Sequence, residues 1–138
     1  MKYDDASWHY DGDFPADLPP EAGATHIGMF LAWAILRNLV GELHTEQSAA
    51  SLDSVRNGAM TGAEFLLREC DEKFTDGDLD AVGNAFAQEY YEKSFFNDYC
   101  EVVAMGDTAY HVADDRANFD RVAALLDERF RGWRQSQQ

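Results

Sequence analysis

Residues 25–43 read Thr25-His26-Ile27-Gly28-Met29-Phe30-Leu31-Ala32-Trp33-Ala34-Ile35-Leu36-Arg37-Asn38-Leu39-Val40-Gly41-Glu42-Leu43. Ile27, Phe30, Leu31, Ala34 and Ile35 make one apolar stripe at helical spacing. Met29, Trp33, Leu36, Val40 and Leu43 make a second, spaced alternately by four and three residues. A helix with two apolar stripes has few sides left for water. The spacing therefore predicts a helix from about Thr25 to Leu43 at the centre of a core. Thr25 is placed to cap its start, and Gly41 to loosen its end. The uninterrupted apolar run, Ile27 to Leu36, is too short to span a bilayer.

Working outward, a short helix is predicted over 49–56, stopped by Asn57-Gly58. Thr61-Gly62-Ala63-Glu64 has the capping-box pattern ahead of Phe65-Leu66-Leu67, so the next helix should run to about Glu72. Thr75 or Asp76 is expected to cap a long helical stretch from Asp78 to about Val103, kinked at Gly83 or between Ser94 and Asp98. Met105-Gly106-Asp107 breaks the pattern, and Tyr110-His111-Val112 reads as extended. A last helix starts near Asp114 or Asp115, with Phe119, Val122, Ala123, Leu126, Phe130 and Trp133 on one face. Ahead of the first helix, residues 1–23 interleave Tyr3, Trp8, Tyr10 and Phe14 with aspartates and carry all three prolines. With Asp11-Gly12 as a turn signal, this segment reads as an aromatic-rich arm or short hairpin pinned to the body by its rings. The fold class is mainly α: a compact bundle of about five helices forming one domain over 1–138.

Composition narrows the functions open to it. The chain has 138 residues and is 46% hydrophobic, enough for one core and too apolar for a disordered acidic chain. Its net charge of -15 opposes binding to nucleic acid or an anionic membrane, since phosphate contacts are made by Lys and Arg. Residues 116–138 carry a net +2 and the remainder -17, an acidic body with a mildly basic last helix. The start, Met1-Lys2-Tyr3-Asp4-Asp5, lacks the basic and apolar regions of a signal peptide. The expected location is the cytoplasm, with Cys70 and Cys100 as reduced thiols that match no zinc spacing.

Motifs for chemistry are sparse. Asp76-Gly77-Asp78-Leu79-Asp80 opens like a calcium loop, but Ala81 and Ala87 stand where that loop needs glycine and glutamate. Its acids read as helix caps. Gly23 and Gly28 lack the strand that a dinucleotide fingerprint requires. Neither Ser7 nor Cys70 has a diagnostic base beside it, so no catalytic residue, cofactor or metal-ligand set is assigned. His9, His26, His44 and His111 are never three or four residues apart, so no single helix presents a pair to a metal. Trp8, His9 and His26 remain an alternative site, to be completed by aspartates across the fold. The stretch from Gln88 to Tyr99 alternates aromatics with acids and reads in part as a protein-binding strip. With the acids before it, the candidate partner-binding residues are Asp76, Asp78, Asp80, Glu89, Tyr91, Glu92, Phe95, Asp98 and Tyr99.

The segments Tyr3-Asp4-Asp5-Ala6-Ser7-Trp8-His9, Phe14-Pro15, Gly23 to Trp33, Gly83-Asn84-Ala85-Phe86-Ala87 and Tyr110-His111-Val112 resemble a family of small uncharacterised bacterial proteins, a domain of unknown function. The resemblance implies a bacterial source and marks Trp8, His9, His26 and Trp33 without assigning them roles. The leading expectation is a non-catalytic acidic protein-binding module, an immunity-type inhibitor whose partner is a basic toxin. The alternatives are an enzyme with a dispersed His/Asp site, with or without an assisting metal, and a structural or oligomerising helical module. Oligomeric state is open.

Overall fold

The structure, a computed structural model, describes residues 1–10 and 14–137. It is mainly helical, with one two-stranded sheet. The central helix, α2, is Thr25–Leu36, and residues 25–35 are all buried. It stops short of Leu43 because Asn38 turns left-handed (φ 59°) and Val40 leaves the helix to bridge Leu79. Helix α1 (Ala6–His9) precedes it, and α3 (Glu42–Gln47), α4 (Ala49–Arg56) and α5 (Gly62–Glu69) follow. Thr61 and Glu64 close the capping box expected of them. Helix α6 (Ala81–Tyr90) continues through a π-helical stretch, Tyr91–Phe95, into α7 (Phe96–Tyr99) and a second π stretch, Cys100–Ala104. Helix α8 (Arg116–Ser136) is capped by Asp115. Residues 109–111 form a 3-10 turn where extended chain was predicted.

Of the two forms open to the N-terminal segment, the structure has the arm. Strand β1 (Lys2–Asp5) pairs antiparallel with β2 (Lys73–Thr75), far along the chain. The expected Asp11-Gly12 turn lies outside the described residues. Tyr3 pins the strand to the core: its ring packs on Phe74 and its hydroxyl donates to Asn84 Oδ1 at 2.6 Å.

The core is built on Phe30 of α2, whose ring meets Trp33, Phe74, Phe86, Tyr91 and Phe95. Helices α2 and α5 cross backbone to backbone at Gly28 and Gly62. A Cβ on Gly62 would stand 1.7 Å from the Gly28 carbonyl oxygen, inside any allowed contact. Helix α8 lays Val122 and Leu126 fully inside, with Phe130 and Trp133 against Trp33 and Phe86. Its docking is mainly apolar. One of its bases, Arg129, reaches a body acid, Asp98, while its Asp127 is gripped by Arg37 through two hydrogen bonds.

Candidate functional site

Two buried His–carboxylate clusters stand out. The first joins the N-terminal arm to α2. Asp5 caps α1 by accepting from the Ser7 amide at 2.9 Å, and this short helix carries His9 back over Asp4. Gly23 lets the following turn pass close: a Cβ there would meet the Ala6 carbonyl oxygen at 3.1 Å and His9 Cβ at 3.3 Å. That close passage sets His26, in the first turn of α2, edge-on to the His9 ring with 4.4 Å between centroids.

Asp4 is the hub. Its Oδ1 accepts from the Asp5 amide at 2.8 Å and from His9 Nε2 at 2.7 Å, and its Oδ2 accepts from Tyr91 Oη at 2.7 Å. His26 Nε2 stands 3.4 Å from Oδ2, within ion-pair distance but not aligned for a hydrogen bond. Burial works to raise the Asp4 carboxyl, but the imidazoles of His26 and His9 outweigh it and hold it well below the usual carboxylate range. Complete burial pushes His26 the other way from its partner's pull, so its pKa falls. The pair therefore holds an ionised Asp4 beside a neutral His26. Both His26 ring nitrogens and the nearby Tyr99 hydroxyl lack hydrogen-bond partners among the described residues.

His9 Nδ1 lies 2.8 Å from Tyr110 Oη, completing a chain from Asp4 through His9 to Tyr110. Burial, with Asp4 adding to it, pushes the Tyr110 phenol up, so it stays protonated and is not an activated nucleophile. Asp4, His9 and His26 offer metal-ligating atoms within 4.8 Å of one another, yet Asp4 already receives three donors.

The second cluster joins His44 on α3, Cys70 at the end of α5 and Asp78 after β2. Asp78 Oδ2 accepts from the Thr75 amide at 2.8 Å, closing a 3-10 turn over Asp76–Asp78, so the long helix expected from Asp78 starts instead at Ala81. Its Oδ1 lies 2.7 Å from His44 Nε2 and 3.6 Å from Cys70 Sγ, and Sγ is 3.8 Å from the same nitrogen. His44 Nδ1 lies 3.2 Å from Ser48 Oγ. In a nucleophilic triad the thiol and the acid would take opposite nitrogens of the ring; here both face Nε2. Burial pushes the Cys70 thiol up, and Asp78 pushes it further, the opposite of nucleophile activation. Sequence reading missed this cluster, because its members are 26 and 34 residues from His44 to Cys70 and to Asp78 and share no local motif.

The remaining sequence-derived residues scatter. Trp8 points outward at 53% exposure, with the Lys2 ammonium 5.0 Å from its ring centroid, so it is not part of the His9–His26 cluster. His111 sits in a turn beside Thr108 and Asp17. The expected partner-binding strip divides in two. Tyr91, Phe95 and Tyr99 are buried, because their side of the helix faces Phe30, and Asp78 is buried in the second cluster. Asp80 caps α6 through the Gly83 amide, and Asp98 holds Tyr90 and Arg129. Asp76, Glu89 and Glu92 are exposed, with Asp76 near the Met1 amine and Glu89 accepting from Trp133. Phe96, within that strip but outside the candidate set, is 38% exposed and stacks on His9.

A cavity of about 150 Å³ lies elsewhere, floored by Met29, Leu36, Val55 and Phe119 with Asp114 and Arg116 among its polar groups. None of the histidines lines it. Among the described residues, no helix is long and apolar enough to cross a membrane.

Comparison with known proteins finds no match among curated proteins and none among solved structures. The family model of a domain of unknown function, DUF7832, matches residues 2–112, which hold both clusters and end before α8. The chain belongs to that family.

Proposed function

We propose that the protein is an acidic protein-binding module that engages a basic partner, in the manner of an immunity-type inhibitor of a bacterial toxin. One observation carries this reading: the way the acids divide their work. Every ion pair to an acidic side chain among the described residues uses an aspartate. Glu42, Glu46, Glu92, Glu101 and Glu128 are exposed with no ion-pair partner among those residues. Such a surface steers a basic protein toward it and speeds encounter. Glu92 lies four residues before exposed Phe96, which stacks on His9, and Trp8 is a second exposed large ring. Aromatics supply the contact energy that rim charges do not.

The test is binding to, and protection against, any toxin encoded beside this chain's gene. Binding should weaken as salt rises. Trp8→Ala combined with Phe96→Ala should weaken it at least about ten-fold, the size of a modest hot spot. Glu92→Lys should mainly slow association. Failure to bind or neutralise any adjacently encoded toxin would count against the proposal, as would affinity indifferent to both salt and these substitutions.

An enzyme reading has one observation in its favour, the Asp4–His9–Tyr110 chain beside unpartnered His26. It is weakened by the protonated phenol at the end of that chain.

A further inference from the structure

We propose that His44, Cys70 and Asp78 bind one thiophilic divalent cation of the zinc class, with Ser48 and Thr75 fixing two of the ligands from behind. The inference is independent of the partner-binding proposal.

Three elements, with His44 26 residues before Cys70 and Asp78 eight after it, bring a nitrogen, a sulfur and a carboxylate oxygen to one point. Tetrahedral zinc with ordinary bond lengths places its ligand atoms roughly 3.3 Å apart for nitrogen and oxygen, and roughly 3.6 Å apart where sulfur is one of the pair. The two sulfur distances here are 3.8 and 3.6 Å. The third, from His44 Nε2 to Asp78 Oδ1, is 2.7 Å, the length of a hydrogen bond held closed by a proton. Replacing that proton by a metal requires the pair to open by about 0.6 Å.

The outer contacts choose which atoms are presented. Ser48 Oγ occupies His44 Nδ1, leaving Nε2 for the metal. The Thr75 amide occupies Asp78 Oδ2, leaving Oδ1. Ligating histidines and carboxylates are commonly held from behind in this way. A thiolate and a carboxylate around a neutral imidazole carry two negative charges, which match a divalent cation. The mixed sulfur, nitrogen and oxygen set favours zinc over magnesium or calcium, which prefer all-oxygen sites. Phe65, edge-on to His44 at 5.0 Å between centroids, walls the inner side, while half-buried Cys70 keeps an outer approach.

The proton balance is simple. On binding, the Cys70 thiol releases its proton to solvent as the sulfur–metal bond forms. The His44 ring proton moves to Nδ1 and is donated to Ser48 Oγ, so the imidazole stays neutral. Asp78 binds as the carboxylate, and a water takes the fourth position.

The test is a titration of the chelator-treated 138-residue chain with cobalt(II), followed by absorption. The expected result is a thiolate-to-cobalt charge-transfer band that saturates at one equivalent and is displaced by zinc. The chain has only two cysteines, so retention of the band in Cys100→Ser assigns it to Cys70 even if Cys70→Ser folds poorly. His9→Gln should leave the band unchanged. Ser48→Ala should lower cobalt affinity by about ten-fold or more, as losses behind a ligand do. The proposal is overturned if the wild-type protein shows no such band. It is also overturned if the band vanishes in Cys100→Ser, or if His9→Gln removes the bound equivalent.

Discussion

Asp4 is polar on every side: an amide, an imidazole and a phenol donate to it within the core. A buried carboxylate survives only with such donors, and complete burial keeps the neighbouring His26 neutral against the pull of Asp4. The consequence is a pH dependence of stability. Burial keeps the folded-state pKa of His26 below its ordinary value of 6.5, so the unfolded chain takes up the proton first as pH falls. The stability is fully present above that value and declines as pH drops through the interval down to the folded-state pKa. Urea midpoints of the wild-type protein should therefore fall between pH 7 and pH 5, and His26→Gln should flatten part of that slope. An equal slope in the variant would show that His26 is not the group responsible. His9 and His26 were legible as positions worth watching, since the family resemblance marks both without assigning them roles. Trp8 was legible only as an aromatic; a one-turn helix has no stripe to show which side faces out, and the structure turns Trp8 outward under Lys2.

At the scale of elements, the crossing of α2 and α5 and the course of α8 make opposite demands on glycine. Gly62 has the Gly28 carbonyl where its Cβ would be, and that obstacle is backbone, which cannot move aside without separating the helices. Gly132, on α8, has nothing within 4 Å of that position. Gly62→Ala should therefore cost about 3 kcal/mol or more, at or beyond the upper range of overpacking, whereas Gly132→Ala should gain up to about 1 kcal/mol from helix propensity. Thermal or urea unfolding of both variants checks the pair, and a neutral Gly62→Ala would refute the close crossing. The apolar stripes marked α2 and α8, because their spacing matches a regular helix, while α4 and α5 were marked by punctuation, the Asn57-Gly58 stop and the capping box of Thr61 and Glu64. The end of α2 was hidden: an unbroken apolar pattern through Leu43 disguised a left-handed Asn38 and a bridge from Val40 to Leu79. The π stretches were hidden too, because inserting residues into a turn moves a stripe without leaving a mark in composition. His44, Cys70 and Asp78 were hidden for another reason: they belong to three elements, and only the fold makes them neighbours.

Across the whole molecule, the charge division foreseen in the sequence is real, but it does not hold α8 in place. Arg121, Arg131 and Arg134 are exposed without ion-pair partners among the described residues, and exposed pairs are worth little in any case. What holds the helix is its apolar face. Val122 and Leu126 are fully buried, and burying such a side chain contributes about 1.5 to 3 kcal/mol. Phe130 and Trp133 add rings against Trp33 and Phe86. Together these contacts contribute about 5 kcal/mol or more, comparable with the lower end of a domain's whole stability. The family match ends at residue 112, yet the core described by this chain is not closed without α8. A chain ending at Asp115 should therefore lose its cooperative thermal transition, and Trp33 emission should shift to the red as its cover is removed. If that shortened chain instead melts cooperatively within a few degrees of the full protein, α8 is an accessory helix and Trp33 has another cover.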